Sequence, residues 1–284
     1  MFKKLMNEIL IQFDLKTESP LLVRSSSESS ELEPNSARVQ YLKTYRVDKE
    51  SNFKLNPILP GSSIKGVFRS NSERLLGNCC DIVGSKKTNK CLSKVKLEEE
   101  KNKKEKNGKQ LTGTDIYLMN CAACRLFGNL NLKSRISFKD AYPKEGHEPI
   151  MNIRNNVAID RFTGAAKDAA LFDSEVVEDG VFTCEIKLEN AAKWHVKLIL
   201  GIIENINNGF ITFGGGSTKG FGKMKVEKFS FLLRRYKNLE REESKFDLDN
   251  LKNVLEDINI QDEILKEDES AKEKSEKKEA INFL

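Results

Sequence analysis

The sequence predicts an α+β protein built on an antiparallel sheet, such as the ferredoxin-like arrangement. Three observations lead there: short segments alternate apolar and polar residues as strands do, one helical segment separates the first of them from the rest, and no regular βαβ repeat occurs. At 284 residues with 38% hydrophobic content, the chain can bury a core as one large or two small domains.

Ile9 to Lys16 ends in strict alternation and reads as a half-buried strand. The Ser/Glu-rich stretch from Arg24 to Ser36 reads as a flexible loop. Ile64, Val67, Phe68 and Leu75 then recur at helical spacing over Ser62 to Leu76, with Ser62 or Ser63 as the N-cap. Lys86 to Gln110 is so rich in Lys, Glu and Asn that it reads as an exposed insertion with little fixed structure. Arg135 to Ala141, Phe182 to Leu188 and Trp194 to Leu200 alternate as strands, and Phe229 to Leu233 reads as the last one. From about Leu239 the chain is a charged tail in which Leu248, Leu251, Val254, Leu255 and Ile258 can form one amphipathic helix, with disorder expected beyond Lys266. The expected division is therefore a folded body over 1–236, a polar insertion at about 79–124, and a tail over 237–284.

The formal charge of +5 conceals an asymmetry. Residues 237–284 hold nine Lys+Arg against fifteen Asp+Glu, a net −6, which leaves 39 basic and 28 acidic residues, a net +11, in the body. A basic body is the electrostatic footprint that nucleic acid requires. No apolar run approaches membrane length and the start lacks a signal-peptide core, so a cytoplasmic protein with no membrane partner is expected.

Two glycine-rich clusters carry the most information. Pro60 to Arg69 offers Gly61, Ser62, Ser63, Lys65 and Arg69, and Gly214 to Lys223 offers Gly214, Gly215, Gly216, Ser217, Lys219 and Lys223. Glycine lets main-chain N–H groups approach an anion, and each cluster adds cationic side chains. Neither is a P-loop, because Gly follows Lys65 and Lys219 where Ser or Thr is required, and Lys219 stands where a dinucleotide motif needs glycine. The expected ligand is a chain-like polyanion rather than ATP or NAD.

Five of the six cysteines fall between Cys79 and Cys124. Cys121 and Cys124 have metal-knuckle spacing, and Cys80 with Cys91 can complete a tetrahedral structural zinc site, with Cys79 as a substitute for Cys80. A redox CxxC pair and unconnected thiols are the alternatives. Cys184 reads as core. His147 lies in a loop, and His195 points away from the Trp194/Val196/Leu198 face of its expected strand; neither has a neighbouring nucleophile or carboxylate pair in the sequence.

The segments Ile58–Arg69, Cys121–Gly128, Ile159–Ala166 and Phe213–Gly222 occur in an order that resembles the RAMP superfamily, in particular the backbone subunits of type III CRISPR effector complexes. The resemblance covers roughly residues 8–233. It implies an RRM-like core with inserted zinc-binding and thumb subdomains, polymerised with copies of itself and other effector subunits along a guide RNA in antiviral defence. The segments matching Pro60–Arg69 and Gly214–Gly222 would hold the guide backbone, and the segment around Ile159–Phe172, with Arg161, Phe162, Lys167 and Phe172, would act as a thumb against the guide–target duplex.

One departure from the family pattern concerns catalysis. Many such subunits cut target RNA with an aspartate between the first strand and the Pro-Gly-Ser-Ser element; Mg²⁺ is the metal expected if this chain cleaves. Here Arg24 to Asn56 holds a single aspartate, Asp48, in a sequence that reads as a hairpin turn, while the expected acid falls nearer Val39–Leu42. Glu28, Glu31 and Glu33 are other carboxylates in reach. A RAMP-type endoribonuclease is thus the second expectation, and a zinc-dependent protein-interaction module the third.

Overall fold

A computed structural model describes residues 5–25, 39–47, 53–77, 79–80, 91, 94–108, 110–237 and 240–254. Strand β1 (Asn7–Thr17) lies at the centre of a six-stranded antiparallel sheet ordered β10-β9-β1-β8-β4, with β5 (Tyr142–Pro143) also on β8. Its partners are β8 (Val181–Glu189) and β9 (Met224–Lys237), and β4 (Ile136–Phe138) extends it beyond β8. Helix α1 (Gly61–Leu76) follows β1 and helix α5 (Lys193–Asn207) follows β8. The sequence of elements β1-α1-β4-β8-α5-β9 with spatial order β9-β1-β8-β4 is the split βαβ pattern of a ferredoxin-like fold.

Alternation explains why β1 is central. Ile9, Ile11, Phe13 and Leu15 face the core, and their register partners Leu188, Ile186, Cys184 and Phe182 on β8 do the same. Ile64 and Phe68 from α1 and Val196, Ile199, Ile202 and Ile203 from α5 close over them. Fully burying side chains of this size contributes about 1.5–3 kcal/mol each, so the two helices are fixed on one face of the sheet. The other face is mainly polar, with Leu10 opposite Leu232 half-buried on it.

Several expectations are corrected. Trp194 to Leu200 is helix, not strand: this part of α5 has a wide buried face, so its apolar residues at 194, 196, 198 and 200 mimic alternation while His195 and Ile199 are buried too. The strand expected over Arg135–Ala141 is shorter, β4. The polar insertion contains helix α2 (Lys94–Lys106), whose Lys103–Glu100 and Lys101–Glu105 pairs have helical spacing, and short helices α3 (Gly113–Leu118) and α4 (Ala122–Phe127) follow. Helix α1 starts at Gly61 with Pro60 as its N-cap, so neither Ser62 nor Ser63 caps it.

The sheet also continues past 236. β10 (Glu240–Phe246) pairs along β9, Phe246 packs 6.1 Å from Phe231, and Leu251 of α6 (Leu248–Val254) is fully buried. Two hairpins stand apart from the main sheet: β2 (Lys43–Val47) with β3 (Phe53–Pro57), and β6 (Ile150–Ile159) with β7 (Ala166–Asp179).

Candidate nucleic-acid interface and metal centre

Pro60 cannot offer a capping side chain, and α1 has no side-chain cap. The Gly61 amide instead donates to Asp140 Oδ1 at 2.8 Å. The glycine itself is required by packing, since a Cβ there would meet the Phe138 carbonyl oxygen at 2.5 Å. The next two amides, of Ser62 and Ser63, are first-turn donors without intrahelical acceptors and lie at the positive end of the helix dipole. Exposed Ser62, half-buried Lys65 and exposed Gly66 surround them. Burial and the neighbouring Arg69 charge hold the Lys65 pKa below its ordinary 10.5.

The second cluster has a comparable division of labour. Gly214 has φ 73° and a Cβ on it would lie 2.2 Å from the Leu22 carbonyl oxygen, so chain geometry alone demands glycine. Gly215 N donates to Leu22 O and Gly222 N to Pro20 O, both at 2.8 Å. Between them Gly216 and Gly220 bracket a single 3-10 turn, Ser217–Lys219, that holds Ser217 and Lys219 in solvent, with Lys223 exposed beyond it.

A run of backbone bonds joins the two clusters although about 150 residues separate them in the chain. The 20–22 segment accepts from the glycine loop, Leu42 N donates to Val23 O at 2.8 Å, Ile58 N donates to Leu42 O at 3.1 Å, and Leu59 pairs with Ala141 beside Asp140. The two glycine clusters are therefore linked through one run of packed backbone. Lys219 then reaches the β6–β7 hairpin, with Nζ 3.3 Å from Asn156 Oδ1 and 5.1 Å from the centre of the Phe172 ring.

At the tip of that hairpin, Asp160 Oδ1 accepts from the amides of Phe162 at 2.8 Å and Thr163 at 3.0 Å, which also holds its pKa below the usual carboxylate value. The turn so formed leaves Phe162 100% exposed beside exposed Arg161. The β2–β3 hairpin, whose turn the sequence suggested at Asp48 but whose strands it left unassigned, adds Tyr45 and Phe53 at 71% and 78% exposure, and the pairs Lys43–Glu175 and Lys54–Glu148 tie it to the chain of the β6–β7 hairpin. Alternation in Tyr45-Arg46-Val47 and Phe53-Lys54-Leu55 was the available signal.

The cysteines converge as spacing predicts. The Sγ atoms of Cys80, Cys91, Cys121 and Cys124 all lie within 4.8 Å of one another, with Cys80 to Cys124 at 3.4 Å and Cys80 to Cys121 at 3.8 Å. Four sulfurs around a tetrahedral metal at ~2.3 Å stand about 3.8 Å apart, so this group can hold a metal ion. Cys80 belongs to it, while Cys79 lies outside it. Contacts from the other thiols stabilise the Cys121 thiolate, and Cys91 and Cys124 are pushed up as its partners. Helix α4 positions two of the four clustered cysteines, Cys121 as its N-cap and Cys124 within its first turn.

A model of the RAMP superfamily matches residues 14–225, a span that contains all four motifs. The chain belongs to the RAMP superfamily. No curated protein matches the sequence. Membership in the superfamily points to CRISPR-associated RNA binding and to assembly into a complex. Among the described residues, no helix of this RAMP protein is long and apolar enough to cross a membrane.

RRM folds commonly stack bases on the open face of the sheet. Here that face of the RAMP core carries Glu8, Gln12 and Asp14 from β1 beside Thr183, Glu185 and Lys187 from β8, engaged with one another and with Lys139, Lys144 and Tyr236.

Arg69, expected on phosphate, has its guanidinium occupied by Glu73, Gly128 and Cys124. His195 is fully buried, accepts from Ala192 N through Nδ1, and desolvation drives its pKa well below the ordinary value. His147 pairs with Asp179 at 3.2 Å. Asp48, Glu28, Glu31 and Glu33 lie outside the described residues, as do 26–38, 255–284 and the side chain of Lys167; the strands flanking Asp48 pair with Val47 opposite Phe53.

Proposed function

We propose that this RAMP protein is a backbone subunit of a type III CRISPR ribonucleoprotein, binding guide RNA through the surface that runs from the start of α1 to the second glycine cluster and presenting the guide to target RNA. The observation that carries the reading is the run of backbone hydrogen bonds that links the two glycine clusters, which bear Ser62, Ser63, Lys65, Ser217, Lys219 and Lys223. Gly66 supports it. Nothing lies within 4 Å of a Cβ built at this exposed mid-helix position, so the fold has no packing use for a residue that costs about 1 kcal/mol of helix propensity. A sugar–phosphate backbone passing over α1 supplies the missing reason.

In this reading the β6–β7 hairpin, with Arg161 and Phe162 at its tip, is the thumb that meets the guide–target duplex, where an exposed aromatic gains about 1–3 kcal/mol per stacked base. Copies of the chain and other effector subunits share the same guide. Zinc is the metal of the four-cysteine site, where it fastens α4 to the segment around Cys80 and Cys91 as a structural element. Any target cleavage with Mg²⁺ draws its carboxylate from the Arg24–Asn56 stretch, Asp48 first.

Sequencing the nucleic acid that co-purifies with the protein tests the reading. Short RNAs sharing a repeat-derived end are expected, and protein free of RNA that also fails to bind single-stranded RNA at low salt would reject it. Reconstituted complex with Asp48→Ala tests the cleavage clause: periodic target cleavage that survives Asp48→Ala and a Glu28/Glu31/Glu33 triple-alanine variant places the chemistry elsewhere.

A further inference from the structure

Arg69 sits seven residues after Ser62 on the helix that the first glycine cluster opens, yet its guanidinium is committed to protein partners. It is 17% exposed and all three nitrogens are engaged: Nε donates to Glu73 Oε1 at 2.8 Å, Nη1 to the Gly128 carbonyl at 3.0 Å, and Nη2 to Cys124 Sγ at 3.5 Å. The last two contacts converge on α4. Gly128 is the C-cap of that helix, where a cation meets the negative end of its dipole, and Cys124 is one of the four clustered sulfurs.

We infer that Arg69 is a positioning residue of the metal centre rather than an RNA contact. The inference rests on the metal reading given above. A divalent ion held by four thiolates leaves a net charge of −2, and a guanidinium donating to one of the sulfurs offsets part of it and fixes that sulfur's direction. Glu73, one turn further along α1, fixes the guanidinium in turn, so the chain of contacts runs Glu73–Arg69–Cys124. Because Arg69 lies on the same rigid helix as Ser62, Ser63 and Lys65, the metal centre orients the start of α1. Lysine cannot reproduce the arrangement, since one ammonium lacks the fork that reaches glutamate, carbonyl and sulfur together.

The test strips metal from the full-length protein and titrates it with Co²⁺, reading thiolate-to-cobalt charge-transfer absorbance against a competing chelator. In parallel, single-stranded RNA binding is measured as a function of salt. Arg69→Gln is expected to weaken Co²⁺ binding 10–100-fold, as loss of a residue behind a metal ligand does, while leaving the log–log salt slope at the parent value. Arg69→Lys serves if the glutamine variant does not fold, and is expected to weaken Co²⁺ binding less. A slope reduced by about 0.7 with parent Co²⁺ affinity would make Arg69 a phosphate contact and overturn the inference. Parent protein without thiolate-to-cobalt bands overturns the metal reading and this inference together, whereas parent bands with undiminished affinity in both variants overturn the inference alone.

Discussion

Two glycines of the same motif should respond to alanine with opposite signs. At Gly61 the new methyl would lie 2.5 Å from the Phe138 carbonyl oxygen and 2.9 Å from the Lys139 carbonyl carbon, backbone atoms that cannot rotate away. Overpacking of this kind costs about 1–3 kcal/mol. Shifting α1 to relieve it loosens the Gly61–Asp140 bond, about 1 kcal/mol more for a partly exposed hydrogen bond. Against that stands a helix-propensity gain of at most about 1 kcal/mol. Gly61→Ala should therefore destabilise by about 1–3 kcal/mol. At Gly66 the methyl meets nothing, only the propensity gain remains, and the protein should be stabilised by about 0.5–1 kcal/mol. Urea unfolding of metal-loaded protein, with the slope of the transition unchanged, reads both shifts. Because Gly66 lies on the proposed RNA surface, the more stable variant should also bind RNA less tightly. A Gly61→Ala protein as stable as the parent, or a Gly66→Ala protein less stable, would refute the assignment of packing to the first glycine and of ligand approach to the second.

Other outcomes follow from the same surface. Phe162→Ala should leave stability within about 0.5 kcal/mol, because the ring is fully exposed, yet weaken guide–target duplex binding by about 1–3 kcal/mol; a loss of thermal stability would place the ring in a packed environment. Lys65 is held below pKa 10.5 when free, and phosphate would raise it again on binding. RNA affinity should then be constant while Lys65 is protonated, and fall as pH rises through its lowered value toward the bound-state value, starting below 10.5. Lys65→Arg should abolish that decline, and an identical pH profile in the variant counts against Lys65 as a contact. Zinc near one per chain is expected by elemental analysis of protein prepared without chelator, and Cys121→Ser with Cys124→Ser should lose it; full retention in that double variant rejects the site.

Local pattern was enough for β1, α1 and β8, where one face is buried and the other is wet, so periodicity survives in the residue types. It failed at Trp194–Leu200 because that window holds only Lys197 of the polar stripe Lys193, Lys197 and Glu204, too little to reveal the helical period. The cysteine set was legible because a tetrahedral site needs four thiols and spacing leaves few choices, though only the fold excluded Cys79 in favour of Cys80. Glycine content marked both backbone turns but not their work. Gly61 and Gly214 are required by the Phe138 and Leu22 carbonyls, neighbours distant in sequence, and long-range backbone bonds of the kind that join the two clusters leave no trace in residue type. The same limit applied to Arg69. Its spacing from Lys65 placed it near the α1 surface, but which way a long, flexible side chain turns is settled by the partners that tertiary structure brings within reach, and here those are Glu73, Gly128 and Cys124.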